Sequence, residues 1–277
     1  MKSYTNEVSR PQARWTSSHS VVPYFVLTFA LSWTGALLVV MPWLVRREVV
    51  PKFTGLMIFP VMLLGPCIAG VTLTWISGGG TGLRSLWSRM RKFAVAPKWY
   101  APLFIPPILI AGVLLFLRLF VSQTFASNFF LAGVGFGAIA GFIEEIGWTG
   151  YAFPALAKGR NAFAAATFLG LIWGAWHIPV VDYLGTATPH GSFWLPYFLA
   201  FTATMVAMRV LICWLYVNTK SVLLAQLMHA SSTGALVVLS PPRASAAQET
   251  LWYGVYALSL WIVVGTVVAR CGRDLQR

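Results

Sequence analysis

Eight apolar runs decide what this chain can become. They fall at about 21–45, 53–77, 99–121, 130–156, 162–183, 191–217, 220–240 and 249–270. Each is near the roughly 20 residues that an α-helix needs to cross the hydrocarbon core of a bilayer. Of 277 residues, 58% are hydrophobic and only 10% charged, against about 25% charged in a soluble domain. The expectation is an all-α polytopic membrane protein. About eight transmembrane helices would form one bundle, a single membrane domain over 1–277, with a polar intramembrane cavity. No internal repeat and no long linker divides it. The first twenty residues are polar, so no secretory signal peptide is expected ahead of the first run.

The net charge of +13 fits either nucleic acid or membrane. In so apolar a chain it points to cytoplasmic loops and anionic lipid; no nucleic-acid partner is expected. Fourteen basic residues fall on one side: Lys2, Arg10, Arg14, Arg84, Arg89, Arg91, Lys92, Lys98, Lys158, Arg160, Lys220, Arg270, Arg273 and Arg277. Four fall on the other, Arg46, Arg47, Lys52 and Arg243. The positive-inside rule therefore puts both termini in the cytoplasm of a multi-pass cell-membrane protein. Cys67, Cys213 and Cys271 are scattered, which suggests neither disulfides nor a zinc knuckle.

In the second loop a glycine run, GGGTG, precedes LRSLWSRMRKF. Leu83, Leu86, Trp87 and Met90 repeat at helical spacing, with basic residues on the other face. This pattern predicts an interfacial amphipathic helix over 83–93.

Seven acids are present: Glu7, Glu48, Glu144, Glu145, Asp182, Glu249 and Asp274. Only Glu144 and Glu145 lie deep in a run. His19 and His190 belong to loops, whereas His177 and His229 lie inside the fifth and seventh runs. Ionisable side chains at membrane depth are costly and mark functional sites. Helical spacing aligns Glu144 with Trp148, Glu145 with Thr149, Trp173 with His177, and Gln226 with His229 and Thr233. At about 1.5 Å per residue, Glu144 and His177 lie near 20 Å from the inner surface, and His229 about 8 Å shallower.

A carboxylate, two imidazoles and trapped water suit hydrolysis. The carboxylate can act as general base, one His can orient the water or protonate the leaving amine, and another can hold an oxyanion. Two Glu and two His can also ligate a metal. No HExxH motif occurs, so no cofactor is expected; a divalent metal would use Glu144, His177 and His229.

Taken in order, "EEIGWT" (144–149), "WGAWH" (173–177) and "HASST" (229–233) resemble the three motifs of the CAAX-protease and bacteriocin-processing (CPBP) intramembrane proteases. That family includes the Ras-converting CAAX endopeptidases, and its pattern is EExxxR, aromatic-xxx-His and HxxxN. The resemblance covers 130–240, which would be the catalytic core. It implies an eight-helix bundle with a conical cavity, and an intramembrane endopeptidase acting on a membrane-associated protein or peptide. By position it makes Glu144 the base, with His177 assisting. His229 contributes to an oxyanion hole, and Glu145, Trp173 and Gln226 support the site. Two positions depart from the pattern: Thr149 stands at the family's Arg, and Thr233 at its Asn.

Two other readings stand beside this one. A non-proteolytic member could serve as a membrane scaffold or bacteriocin-immunity protein. A proton-coupled transporter could use the Glu/His cluster as a relay. Arg209 is the one cation deep in the sixth run, about 12 Å from its cytoplasmic end. Pairing it with Glu145 would settle both buried charges and replace the missing arginine from a different helix.

Overall fold

The computed structural model describes residues 21–183 and 190–277, without the side chains of Lys52, Asp182 and Tyr183. Expectations for the N-terminal tail, including Glu7 and His19, lie outside the described residues, as does the side chain of Asp182.

The described helices are α1 (Val22–Arg46), α2 (Lys52–Met90), α3 (Ile105–Phe120), α4 (Gly133–Gly147), α5 (Phe153–Leu156), α6 (Ala162–Trp176), α7 (Trp194–Thr219), α8 (Val222–Leu239) and α9 (Ala246–Cys271). No strand occurs among the described residues. Six of the long helical stretches have the length and apolarity to cross a membrane. Large apolar side chains face outward along them, among them Leu38 (65% exposed), Ile108 (66%) and Leu258 (64%). Apolar surface on this scale requires a nonaqueous surround, and a bilayer supplies it.

The fourth and fifth apolar runs differ from the expected uninterrupted spans. Each begins as a helix of 15 residues. The fourth continues through a π turn at Trp148–Ala152 into α5, and the fifth reaches a π turn at Pro179–Tyr183. A π turn inserts a residue into the ladder and commonly sits at a functional site. Both interruptions adjoin the motifs that carry the acids and His177.

Close helix approach comes from small residues. Gly133, Gly137 and Gly141 lie one turn apart on α4 and face α8. A methyl at Gly141 would lie 2.6 Å from Ala230 N, so only glycine allows this separation. The Gln226 side-chain amide donates to Phe142 O at 2.8 Å and ties the same two helices. Ser32 of α1 donates to Met62 O of α2 at 2.7 Å.

α2 does not run straight to its end. Gly79 has φ 54° and ψ −147°, a conformation open almost only to glycine. Eight residues along a straight helix span about 12 Å. Yet a methyl on Gly82 would lie 2.7 Å from Thr74 O, so the chain doubles back. Residues 80–90 form a helical arm packed against the bundle. The amphipathic pattern therefore belongs to the end of α2. Its apolar face is spent partly on protein: Leu86 is buried, and Arg89 reaches Tyr216 and Gly150.

His190, expected in a loop, and Glu249 meet in the structure. His190 Nε2 lies 2.7 Å from Glu249 Oε2, and its ring stacks on Tyr197. This contact joins the start of α7 to the start of α9.

Candidate active site

Glu144 and Glu145 point from α4 into the middle of the bundle, and both are buried. They are adjacent in sequence but have separate surroundings. Successive helical residues are about 100° apart, which gives each carboxylate its own neighbours.

Glu144 meets two tryptophans. Trp148 Nε1, one turn along the same chain, donates to Glu144 Oε2 at 3.1 Å. Trp173 Nε1 of α6 donates to the same oxygen at 2.8 Å. Oε1 takes no hydrogen bond from the described residues. Glu144 therefore has one anchored oxygen and one open to a ligand.

Both oxygens of Glu145 are engaged. Arg209 Nη1 of α7 donates to its Oε2 at 2.8 Å. The hydroxyl of Thr149 donates to the same oxygen. His229 Nδ1 of α8 lies 2.8 Å from Oε1. Arg209 thus comes from the helix, and meets the carboxylate, that its depth in the sequence suggested. Its guanidinium also stacks over Trp173, with Cζ 4.2 Å from the ring centroid. The Arg209 Nε and Nη2 groups are buried without an acceptor among the described residues.

The two histidines are oriented by what their Nδ1 atoms meet. His177 closes the C-terminus of α6, and its Nδ1 lies 2.7 Å from Trp173 O. A carbonyl only accepts, so Nδ1 carries the proton and Nε2 presents a lone pair. His229 directs Nδ1 at a carboxylate, and its Nε2 has no hydrogen-bond partner among the described residues. The ring of Trp173 separates them, 5.3 Å from His177 and 5.0 Å from His229. Trp176 and Phe201 pack their edges and faces on His177.

The helical count placed His229 nearer the surface than Glu144. In the structure they share neighbours: His229 Nδ1 reaches Glu145, and Trp173 contacts both His229 and Glu144. α8 starts inside the protein, where Ser221 and Val222 have no exposure.

Not every residue on the expected face of α8 joins the cluster. Gln226 is engaged with the α4 backbone. Thr233 lies one turn beyond His229, half-buried, and forms no hydrogen bond among the described residues. The sequence reading undervalued Trp148, although its i+4 spacing to Glu144 was visible. It missed Trp176, Phe201 and Tyr24, the last of which packs edge-on against Trp148 at 5.6 Å. An aromatic in an apolar run gives no signal of which face it occupies.

A metal would need several acid, His or Cys donors converging on one point. Among the described residues no group of three or more is arranged that way. Glu144 Oε2 and Glu145 are already committed to N–H and O–H donors.

Residues 125–235 match a family model described as type II CAAX prenyl endopeptidase Rce1-like. Over 96 residues the chain is 32% identical to a CAAX prenyl protease 2 from Methanococcus maripaludis, a match covering 33% of this chain and 34% of that protein. The match thus spans about a third of the length of the curated relative. The stretch that builds the cluster, from α4 to α8, is the stretch similar to the Rce1-like CAAX prenyl endopeptidases.

Proposed function

We propose that this protein is an intramembrane endopeptidase that cleaves a membrane-associated protein or peptide with a glutamate-activated water. The observation that carries the reading is the division of labour between the carboxylates. Glu144 keeps an oxygen without a hydrogen-bond donor among the described residues, and the Trp173 that anchors its other oxygen packs against both His177 and His229, while both oxygens of Glu145 are engaged. The likeness of 125–235 to CAAX prenyl endopeptidases supports a peptidase.

In this reading Glu144 takes a proton from water as the oxygen attacks the scissile carbonyl carbon. The carbonyl electrons move to oxygen. His229, held through Nδ1 by the Glu145 carboxylate, contributes to the hole that receives that oxyanion. Thr233, one turn further along α8, can donate through its hydroxyl. His177 assists in orienting the water through its Nε2 lone pair. The C–N bond then breaks as the proton held by Glu144 passes to the leaving amine. The indoles of Trp148 and Trp173 fix the Glu144 rotamer throughout. No metal takes part, and both termini lie in the cytoplasm.

Proteomics of membrane-protein termini tests this reading. Cells with the wild-type protein are expected to gain new termini that cells with Glu144→Gln lack. Identical termini in both would leave a scaffold, and uptake of a solute driven by a proton gradient would indicate a transporter.

A further inference from the structure

The arm of α2 beyond Gly79 has no part in the hydrolysis described above. Between it and the bundle lies an apolar groove of about 290 Å³, open on one side and lined by Val71, Leu83, Leu86, Trp87, Met90 and Ile146. Its rim is basic. Arg91 lies over the Trp87 ring, with Cζ 5.6 Å from the centroid. Arg84, Arg91 and Lys92 are exposed and form no ion pair among the described residues. The sequence has no acid between Glu48 and Glu144, so nothing in this segment offsets their charge.

Arg89 behaves differently. It turns inward, with Nη1 donating to Tyr216 Oη at 2.8 Å and Nη2 to Gly150 O at 2.9 Å. Leu86 packs on the same place: a methyl at Gly150 would lie 2.7 Å from Leu86 Cδ1. Gly150 belongs to the π turn that carries Trp148 and Thr149. Those two residues bond Glu144 and Glu145. The arm is thus clamped to the turn that shapes the site.

We infer that this groove binds an anionic phospholipid. An acyl chain fills the apolar groove, and the headgroup phosphate meets Arg84, Arg91 and Lys92. The pairing follows from the chemistry of the two parts: an apolar lining that includes the exposed Val71 and Trp87, and uncompensated cations on the same helical arm. A lipid there braces the arm against the π turn through Leu86 and Arg89. Binding at the groove does not depend on the peptidase reading, and its test reads lipid retention alone.

The test is native mass spectrometry of the full chain released from micelles that contain phosphatidylglycerol or phosphatidylcholine. The wild type is expected to retain phosphatidylglycerol in preference to phosphatidylcholine. Arg84→Gln/Arg91→Gln/Lys92→Gln is expected to weaken that retention by roughly tenfold or more. Leu83→Trp keeps every charge but fills the groove, and it too is expected to lose the bound lipid. Thermal unfolding confirms that each variant is folded; if the triple variant is not, Leu83→Trp alone decides. Equal retention of the two lipids by the wild type overturns the inference. So does undiminished retention by Leu83→Trp, which would mean charge attraction without a groove. Displacement of phosphatidylglycerol by millimolar inorganic phosphate would also overturn it, since the acyl chain would then contribute nothing.

Discussion

Glu144 and Glu145 are one residue apart, and nothing in their own dipeptide distinguishes them. Their partners do: two indoles on one side, and a guanidinium, a hydroxyl and an imidazole on the other. The depth of the pair was legible in the sequence, because an acid inside an apolar run is costly and rare. The pairing with Arg209 was legible for the same reason, as one buried cation and one buried anion without local partners. The stack of Arg209 on Trp173 was not, because it depends on how far α6 leans toward α7. Removing one partner of a buried pair costs about 3–5 kcal/mol by stranding the other. Arg209→Leu should therefore destabilise on that scale, and adding Glu145→Gln should recover part of the loss. Thermal unfolding of the single and double variants in one detergent checks this. Strict additivity would mean the two side chains do not interact energetically. Trp173→Phe removes one of the two donors to Glu144 Oε2 while keeping an aromatic ring at that position. It should lower kcat more than KM, because it loosens the base without touching substrate.

At the scale of elements, the apolar runs gave helix positions to within a few residues, but not the interruptions. Gly150 and Pro154 disfavour a regular helix at Trp148–Ala152, but they do not specify a π turn. The fold of the arm back at Gly79 was half visible: the glycine run announced a break, while the direction of return depends on the approach of Gly82 to Thr74. That α8 begins inside the protein was also hidden, because it depends on packing that sequence spacing does not reveal: Ser221 is buried and its hydroxyl donates to Lys92 O at 2.5 Å. The α4–α8 contact carries Glu145 to His229, and it relies on glycines. Gly141→Leu would put a branched side chain where a methyl already meets Ala230 N at 2.6 Å. Overpacking of this kind costs typically 1–3 kcal/mol or more. The variant should unfold at lower temperature and lose activity through separation of the two helices. Wild-type stability with Gly141→Leu would show that α4 and α8 can part freely.

For the whole molecule, the apolar exterior and the buried ionic cluster form an inside-out arrangement, with lipid-like side chains facing out and charge at the centre. The fourteen-to-four division of basic residues predicts that both termini face the cytoplasm. Cysteines introduced near each end, in a background lacking Cys67, Cys213 and Cys271, should react with an impermeant thiol reagent only after the cells are opened. Labelling of either end in intact cells would reverse the orientation. The central claim is that Glu144 activates the water that cleaves a peptide bond, with Glu145 held in a supporting role. Its most direct measurement is kcat for purified wild-type protein and Glu144→Gln in reconstituted vesicles. The substrate is a substrate-derived peptide identified by terminal proteomics, with thermal unfolding recorded on the same samples. General-base catalysis contributes typically 10²–10⁴-fold. Glu144→Gln is expected to keep its unfolding temperature and lose kcat by at least about a hundredfold. A folded Glu144→Gln protein that cleaves at the wild-type rate would contradict it.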